Sequence, residues 1–259
     1  GADAALVKGG HVPGNEVVDV LVTPDSVTTF RHDRIDTEAT HGSGCTLSSA
    51  VATRLAHGDA MQAAVASGVD LLARAVRYNL DVGTGPGSVH HLVETRNDAA
   101  RDETSEAVED VVAALGTRNV APLVPESGMN VAGATPHAEG LGDIAAVEGG
   151  ITQMIDAVRP NRGVRFGVCS VPGRALLAVR EHDTDRRFAI GCHPAVEAGL
   201  EDIDAAVGQF SPSDRGDTVA RADAIEVDER ADSPGTVDRG GAGSDGRVIL
   251  LADDAETLI

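Results

Sequence analysis

The chain has 259 residues, enough for one large domain or two ordinary ones, and at 42% hydrophobic it is globular in composition. Its formal net charge of −20 repels phosphate backbones, and with 2% aromatics and no Trp it has no stacking platform for single strands, so nucleic acid is excluded as a partner. No apolar run is long enough to span a bilayer, so no membrane partner is expected. The chain begins Gly1-Ala2-Asp3 without Met, which reads as a processed product or a piece of a longer gene.

Ala4 to Lys8 is a short apolar run ending in Lys8-Gly9-Gly10, which predicts a buried strand running into a loop. Val17 to Val22 and Val27 to Phe30 predict two further strands around a Thr23-Pro24-Asp25 turn. From Cys45 to Ala56 the apolar residues Leu47, Val51 and Leu55 recur every fourth position, which predicts a helix. A second helix is predicted from Asp59 to Leu80, ending before Gly83-Thr84-Gly85-Pro86-Gly87. The charged stretch from Glu94 to Glu109 places a domain boundary near residue 98, giving domains 1–97 and 98–259. Beyond it, a helix is expected from Thr104 to Leu115, with Thr104 as a plain N-cap. Val120 to Val124, Gly163 to Val168 and Val248 to Leu251 predict strands, and Gly173 to Arg180 and Ala195 to Ala206 predict helices. Ser211 to Gly246, rich in Asp, Gly and Ser, reads as an irregular surface segment. The alternation predicts an α/β layered domain.

Lys8 is the sole lysine among 21 basic residues, the rest being arginine. An acidic, lysine-poor surface reads as salt adaptation, with GC-rich coding as the plainer alternative. The three cysteines, Cys45, Cys169 and Cys192, lack CxxC spacing, so a reduced cytoplasm fits better than a disulfide framework. The histidines show no HxxxH or HExxH pattern, and no metal cage is expected. The sequence does not fix the oligomeric state and is compatible with a homo-oligomer.

The sharpest local pattern is Thr40-His41-Gly42-Ser43-Gly44-Cys45-Thr46-Leu47-Ser48. Glycines just before a helix let a ligand approach the backbone, and the helix start aims N–H groups at it, so Gly42, Ser43 and Gly44 form an expected anion hole. Cys45 in the first turn is a candidate base, its thiolate favoured by the helix start. Lys8 beside two glycines at a strand end suits a phosphate. An ordinary tight junction with a small cysteine is the plainer reading of the same residues. Taken with Val7-Lys8-Gly9-Gly10-His11 and Gly83-Thr84-Gly85-Pro86-Gly87-Ser88-Val89-His90, the pattern resembles the C-terminal part of the hydroxymethylpyrimidine/phosphomethylpyrimidine kinases, over residues 5 to 91. The resemblance implies a ribokinase-like α/β fold, with ATP and Mg²⁺ as cosubstrate and cofactor. It also implies Cys45 at the position where related sugar kinases place an Asp base. The family builds its pyrimidine pocket largely from the N-terminal half of its domain, so the resemblance implies no kinase activity for this chain alone.

From Thr104 onward the chain resembles the archaeal ThiN-type thiamine-phosphate synthase domain. The resemblance rests on Val124-Pro125-Glu126-Ser127-Gly128-Met129-Asn130, Gly142-Asp143-Ile144-Ala145-Ala146-Val147 and Val164-Arg165-Phe166-Gly167-Val168-Cys169-Ser170. Arg186-Arg187-Phe188-Ala189-Ile190, Val237-Asp238-Arg239-Gly240-Gly241 and Asp253-Asp254-Ala255-Glu256 extend it. It implies the joining of hydroxymethylpyrimidine diphosphate to a thiazole phosphate with release of pyrophosphate. Arg165 and Arg174 are then candidates for the departing charge, and Glu126, Asn130 and Ser170 for the ligand. The chain departs from the family at Ser170-Val171-Pro172-Gly173-Arg174, which lacks a His, and at Arg187-Phe188-Ala189-Ile190-Gly191, which lacks an amide. A further departure is Gly149-Gly150, where an Arg is expected. The alternatives are a silent thiamine-phosphate-binding sensor and a poorly folding remnant with exposed strand edges.

Overall fold

The computed structural model describes residues 2–80, 82–118, 120–193, 207–210, 235–238 and 247–259. The chain divides into two compact units, Gly1–Arg96 and Asn97–Ile259.

In the first unit, β1 (Ala5–Val7), β2 (Glu16–Val22) and β3 (Val27–Asp33) form an antiparallel meander in the order β1-β2-β3. Leu6 faces Leu21 and Val18 faces Arg31 across the ladders. Asp19 and Leu21 share one face of β2, as the two-residue period of a strand requires, and both are buried. β1 is an edge strand with Val7 62% exposed, so the buried strand expected at Ala4 to Lys8 is corrected to a solvated edge. Leu6 on one face packs against the core, while Val7 on the other face meets solvent. Two helices pack together behind the meander, α1 (Ser43–Ala56) and α2 (Met61–Arg77). The stripe Val65, Val69, Leu72 and Ala75 of α2 joins Leu21, Leu47, Val89 and Val93 in one core. Gly68 lets the two helices touch, since a Cβ there would lie 2.9 Å from Val51 Cγ2 and 3.2 Å from Leu47 Cδ1.

The division between the units falls within α3 (Val93–Ala99). In the second unit, α4 (Arg101–Thr117) is followed by β4 (Asn130–Ala134), β5 (Ile144–Val147), β6 (Ile151–Gln153), β7 (Val158–Pro160) and β8 (Val164–Phe166). Then come α5 (Val171–Arg180), β9 (Phe188–Cys192), β10 (Val207–Phe210), β11 (Gly235–Asp238) and β12 (Arg247–Ala252). The main sheet runs β10-β11-β12-β9-β4-β5-β8 and is antiparallel except where β10 meets β11; β6 and β7 form a separate hairpin.

Alternate residues of the central strands serve opposite faces. Val131, Ala145, Val147, Phe188 and Ile190 pack on Val108, Val111 and Leu115 of α4. Ala132, Ala134, Ile144, Ala146 and Ala189 pack on Ala175, Leu176 and Val179 of α5. The result is a three-layer α/β/α sandwich, the layered α/β class expected. Each fully buried valine or leucine in these layers contributes on the order of 1.5–3 kcal/mol.

Several local expectations are corrected. Val120 to Val124 is a 3₁₀ turn at Ala121–Leu123 rather than a strand. Pro122 fixes φ there and has no N–H for a ladder. Thr104 lies inside α4, its hydroxyl donating to the Ala100 carbonyl at 2.8 Å, so it is not a cap. Within the Ser211 to Gly246 segment, Gly235–Asp238 forms β11, because β12 offers it an antiparallel partner. The helix expected at Ala195 to Ala206 lies outside the described residues, as does the rest of the irregular segment.

Candidate functional site

The candidate residues form one group in each unit. In the first, Gly42 caps α1 with φ 83°, a left-handed conformation that glycine adopts without a Cβ penalty, and no side chain caps the helix. The first N–H groups of a helix have no intrahelical acceptor. Ser43 N–H is taken by the Thr40 carbonyl at 3.2 Å, and Thr46 N–H by the Gly42 carbonyl at 2.9 Å. Gly44 and Cys45 N–H have no acceptor among the described residues. Both residues are exposed. The turn is fixed from the other side: His41 bridges Ser88, and Val89 N–H donates to the His41 carbonyl at 3.2 Å. Gly87, at φ 81°, makes this return possible, since a Cβ there would lie 2.9 Å from both Ala39 Cβ and the Leu80 carbonyl oxygen.

The structure therefore gathers Gly42, Ser43, Gly44 and Cys45 in one exposed helix start. Lys8 directly follows β1. Its Nζ meets the Gly9 carbonyl at 3.5 Å, and no hydrogen bond joins it to the 42–45 turn among the described residues. Gly9 N–H donates to buried Asp19 Oδ1 at 2.7 Å, and a Cβ on Gly9 would fall 2.3 Å from the Val18 carbonyl oxygen. Arg34 donates to the carbonyls of Gly14, Gly10 and Val12 at 2.7, 3.0 and 2.6 Å, which fixes the loop after Lys8. Neither Asp19 nor Arg34 carries a sequence signal, because both act through contacts far along the chain. His90 is buried near the same return, and burial first, then the charge of Arg96, holds its pKa below the usual imidazole range.

In the second unit, Ser170 caps α5, its Oγ accepting from Gly173 N–H at 3.1 Å. Pro172 has no N–H, so this helix start offers fewer backbone donors than that of α1, with Val171 N–H alone lacking an acceptor among the described residues of its first turn to Gly173. Asn130 is engaged with the sheet: Oδ1 accepts from Val131 and Val147 N–H at 2.9 and 3.1 Å, and Nδ2 donates to the Val147 carbonyl at 3.0 Å. Arg174 donates to Cys169 Sγ at 3.3 Å. Glu126 is exposed in the turn closed by Gly128 N–H on the Pro125 carbonyl. Arg165 lies on edge strand β8 opposite Ala146, on the face that carries α5, with Nε 3.2 Å from Glu148 Oε2. Arg162, outside the residues selected from sequence, reaches the other oxygen of Glu148 at 3.1 Å. The only advance sign of it is the run Arg159, Arg162, Arg165 at three-residue spacing. Among the described residues no three His, Cys, Asp or Glu gather as a metal cage, and no helix is long and apolar enough to cross a membrane.

These features define a two-unit α/β chain, with an open glycine-capped helix start in one unit and exposed arginines at a sheet edge in the other. Residues 107–259 match the family model of thiamine-phosphate synthase ThiN, and the chain belongs to that family. Residues 1–90 match the model of phosphomethylpyrimidine kinase. The hydroxymethylpyrimidine/phosphomethylpyrimidine kinase of Rhizobium meliloti is 42% identical over 94 residues, covering 36% of this chain and 35% of that protein. The thiamine biosynthesis bifunctional protein ThiED of Geobacter sulfurreducens is 39% identical over 93 residues, covering 36% of this chain and 19% of that protein. The chain thus spans about a third, or less, of the curated relatives' length. A crystal structure of the C-terminal domain of a phosphomethylpyrimidine kinase shares the fold, with TM-score 0.52 and 19% identity over 60% of this chain and 94% of that one.

Proposed function

We propose that the chain serves thiamine synthesis with both units. The first supplies the phosphate-holding part of a ribokinase-like pyrimidine kinase, and the second joins hydroxymethylpyrimidine diphosphate to a thiazole phosphate, releasing pyrophosphate. The observation that carries this reading is the presence in one chain of matches to two families whose reactions share one intermediate. The geometry is compatible with each role. In the first unit, Gly44 and Cys45 N–H would receive the phosphate of ATP without adding charge, and exposed Cys45 would take the proton of the attacking hydroxyl. In the second, Arg165 would stabilise the charge that grows on the departing pyrophosphate. Magnesium bound through substrate phosphates takes only one or two protein carboxylates, so the cation would arrive with the diphosphate. The acidic surface with its single lysine suits an assay in concentrated salt.

The test is thiamine-phosphate formation by the purified chain in molar KCl with Mg²⁺ and both synthase substrates. Product that is lost in Arg165→Ala supports the synthase reading. A second reading, a silent thiamine-phosphate sensor, draws on the departures at Ser170-Val171-Pro172-Gly173-Arg174, at Arg187-Phe188-Ala189-Ile190-Gly191 and at Gly149-Gly150, which remove a His, an amide and an Arg while leaving Arg165 and Arg174 for a ligand. Thermal stabilisation by thiamine phosphate without product formation would select it and overturn the synthase.

A further inference from the structure

The geometry points to a two-arginine anion clamp in the second unit: Arg162 and Arg165, both held on Glu148, grip the diphosphate of the ligand. This rests on the synthase reading and adds a binding residue to it. Arg162 Nη1 lies 3.1 Å from Glu148 Oε1, and Arg165 Nε lies 3.2 Å from Glu148 Oε2. Both arginine side chains are 70% exposed, whereas the carboxylate between them is 31% exposed. Two guanidinium groups on one carboxylate leave an excess of one positive charge, in a chain whose net charge is −20. A surface ion pair needs only one arginine, and the second is drawn in against the repulsion of the first. Arg165 pairs with Glu148 by charge alone, without a hydrogen bond to Oε2, so its terminal nitrogens remain for an acceptor, and Arg162, which donates from Nη1, keeps Nε and Nη2. A diphosphate, with several charged oxygens on adjacent phosphorus atoms, matches two such forks better than a single carboxylate does.

The frame that holds the pair is built rather than fortuitous. Asn161, just before Arg162, donates from Nδ2 to the Gly149 carbonyl at 2.6 Å and from its backbone N–H to the Gly150 carbonyl at 2.9 Å. Its Oδ1 accepts from Thr152 Oγ1 at 3.1 Å. Glu148 N–H donates to the Gly163 carbonyl at 3.0 Å, and the β5–β8 register fixes Arg165 opposite Ala146. Gly149 and Gly150, at φ 78° and 72°, make the turn that brings Asn161 and Arg162 back over Glu148.

The test is calorimetric titration of the full chain with inorganic pyrophosphate and Mg²⁺ at one fixed KCl concentration. Arg162→Ala is expected to weaken binding about tenfold or more, the scale of a lost charge-assisted hydrogen bond, with Arg162→Lys between it and the parent chain. Exposed Arg159, on β7, is the charge control, and Arg159→Ala is expected to stay within about twofold. The clamp is overturned if the parent chain does not bind pyrophosphate, if Arg162→Ala binds as the parent does, or if Arg159→Ala weakens binding equally. Thiamine-phosphate formation on the same variants separates the two claims. No product from the parent, with pyrophosphate binding that still depends on Arg162, would sink the synthase reading and keep the clamp. Product formation and pyrophosphate affinity both unchanged in Arg162→Ala would sink the clamp and keep the synthase.

Discussion

Gly44→Ala separates what the start of α1 does for the fold from what it does for a ligand. Gly44 is the second residue of the helix, its φ lies outside the left-handed region, and a Cβ built on it meets nothing within 4 Å. Alanine there should stabilise the helix, by at most about 0.5–1 kcal/mol because the site is in the first turn rather than the interior. For a unit of this size that raises the melting midpoint by roughly 2–8 °C. A phosphate oxygen seated about 2.9 Å from the Gly44 nitrogen would, however, meet the new methyl group. Affinity for a non-hydrolysable ATP analogue should fall about tenfold or more, equivalent to about 1.4 kcal/mol. Gly42→Ala is the contrasting variant. Its nearest neighbour is Val89 Cγ2 at 3.8 Å, so space is not limiting, but φ 83° imposes a backbone cost of about 1–2 kcal/mol and the midpoint should drop. Melting followed by circular dichroism and titration calorimetry read the two effects separately. A Gly44→Ala chain that binds the analogue as the parent does would refute the phosphate site. One that melts lower would refute the structural account of the helix start.

Thiol labelling at mildly alkaline pH should modify exposed Cys45 and Cys169 and spare Cys192, whose pKa burial pushes up to about 12; mass spectrometry showing rapid labelling of Cys192 would contradict its burial. His90 has a folded-state pKa below its unfolded value of about 6.5, so below that pH the unfolded chain binds a proton that the folded chain refuses. Stability from this group is complete above about pH 6.5 and is lost as pH falls through that value toward the depressed pKa. The drop in melting midpoint between pH 7.5 and 5.5 should be smaller in His90→Gln, and an equal drop would remove His90 as the cause. Gly133→Ala places a Cβ 2.6 Å from Val108 Cγ2 and 3.0 Å from Phe188 Cε1, and should cost the second unit about 1–3 kcal/mol in denaturant unfolding. An unchanged denaturation midpoint would mean that α4 is not packed against β4 as described.

The elements visible in the sequence are those whose apolar spacing repeats. Leu47, Val51 and Leu55 mark α1, and Val17 to Val22 with Val27 to Phe30 mark β2 and β3. The central strands β4, β5 and β9 escape, because Asn-Val-Ala-Gly-Ala, Ile-Ala-Ala-Val and Phe-Ala-Ile-Gly-Cys are covered on both faces and so do not alternate. Their small residues are also weak strand formers, chosen by the helices above and below; only the contact with Val108 explains Gly133. The glycine-capped turn is legible because positive φ leaves its mark in the local sequence. The pairing of Glu148 with Arg162 and Arg165 is not, since it depends on the β5–β8 register and on where Asn161 docks. Asn130 and Ser170 stand in motifs that suggest a ligand, yet their polar atoms bond the backbone, a distinction that only coordinates can make.

On the proposed reading, a chain of net charge −20 has to overcome its own field to hold a phosphate, and its two units would do so by different means. The first presents peptide N–H groups at a helix start, where the dipole supplies partial positive charge without a cation. The second has less to offer at its corresponding helix, because Pro172 has no N–H and Ser170 occupies that of Gly173, which leaves the N–H of Val171. Cations elsewhere on the same layer would add to it. Arg165 stands on the sheet face that carries α5, and Arg162 is folded back beside it over Glu148. A shared carboxylate solves a specific difficulty: two exposed arginines side by side repel, and a single acceptor lowers that repulsion while leaving donors on both. The donor-poor start of α5 and the doubled arginines at the edge of β8 are therefore complementary features. Where the backbone has fewer donors to offer, side-chain charge would take their place.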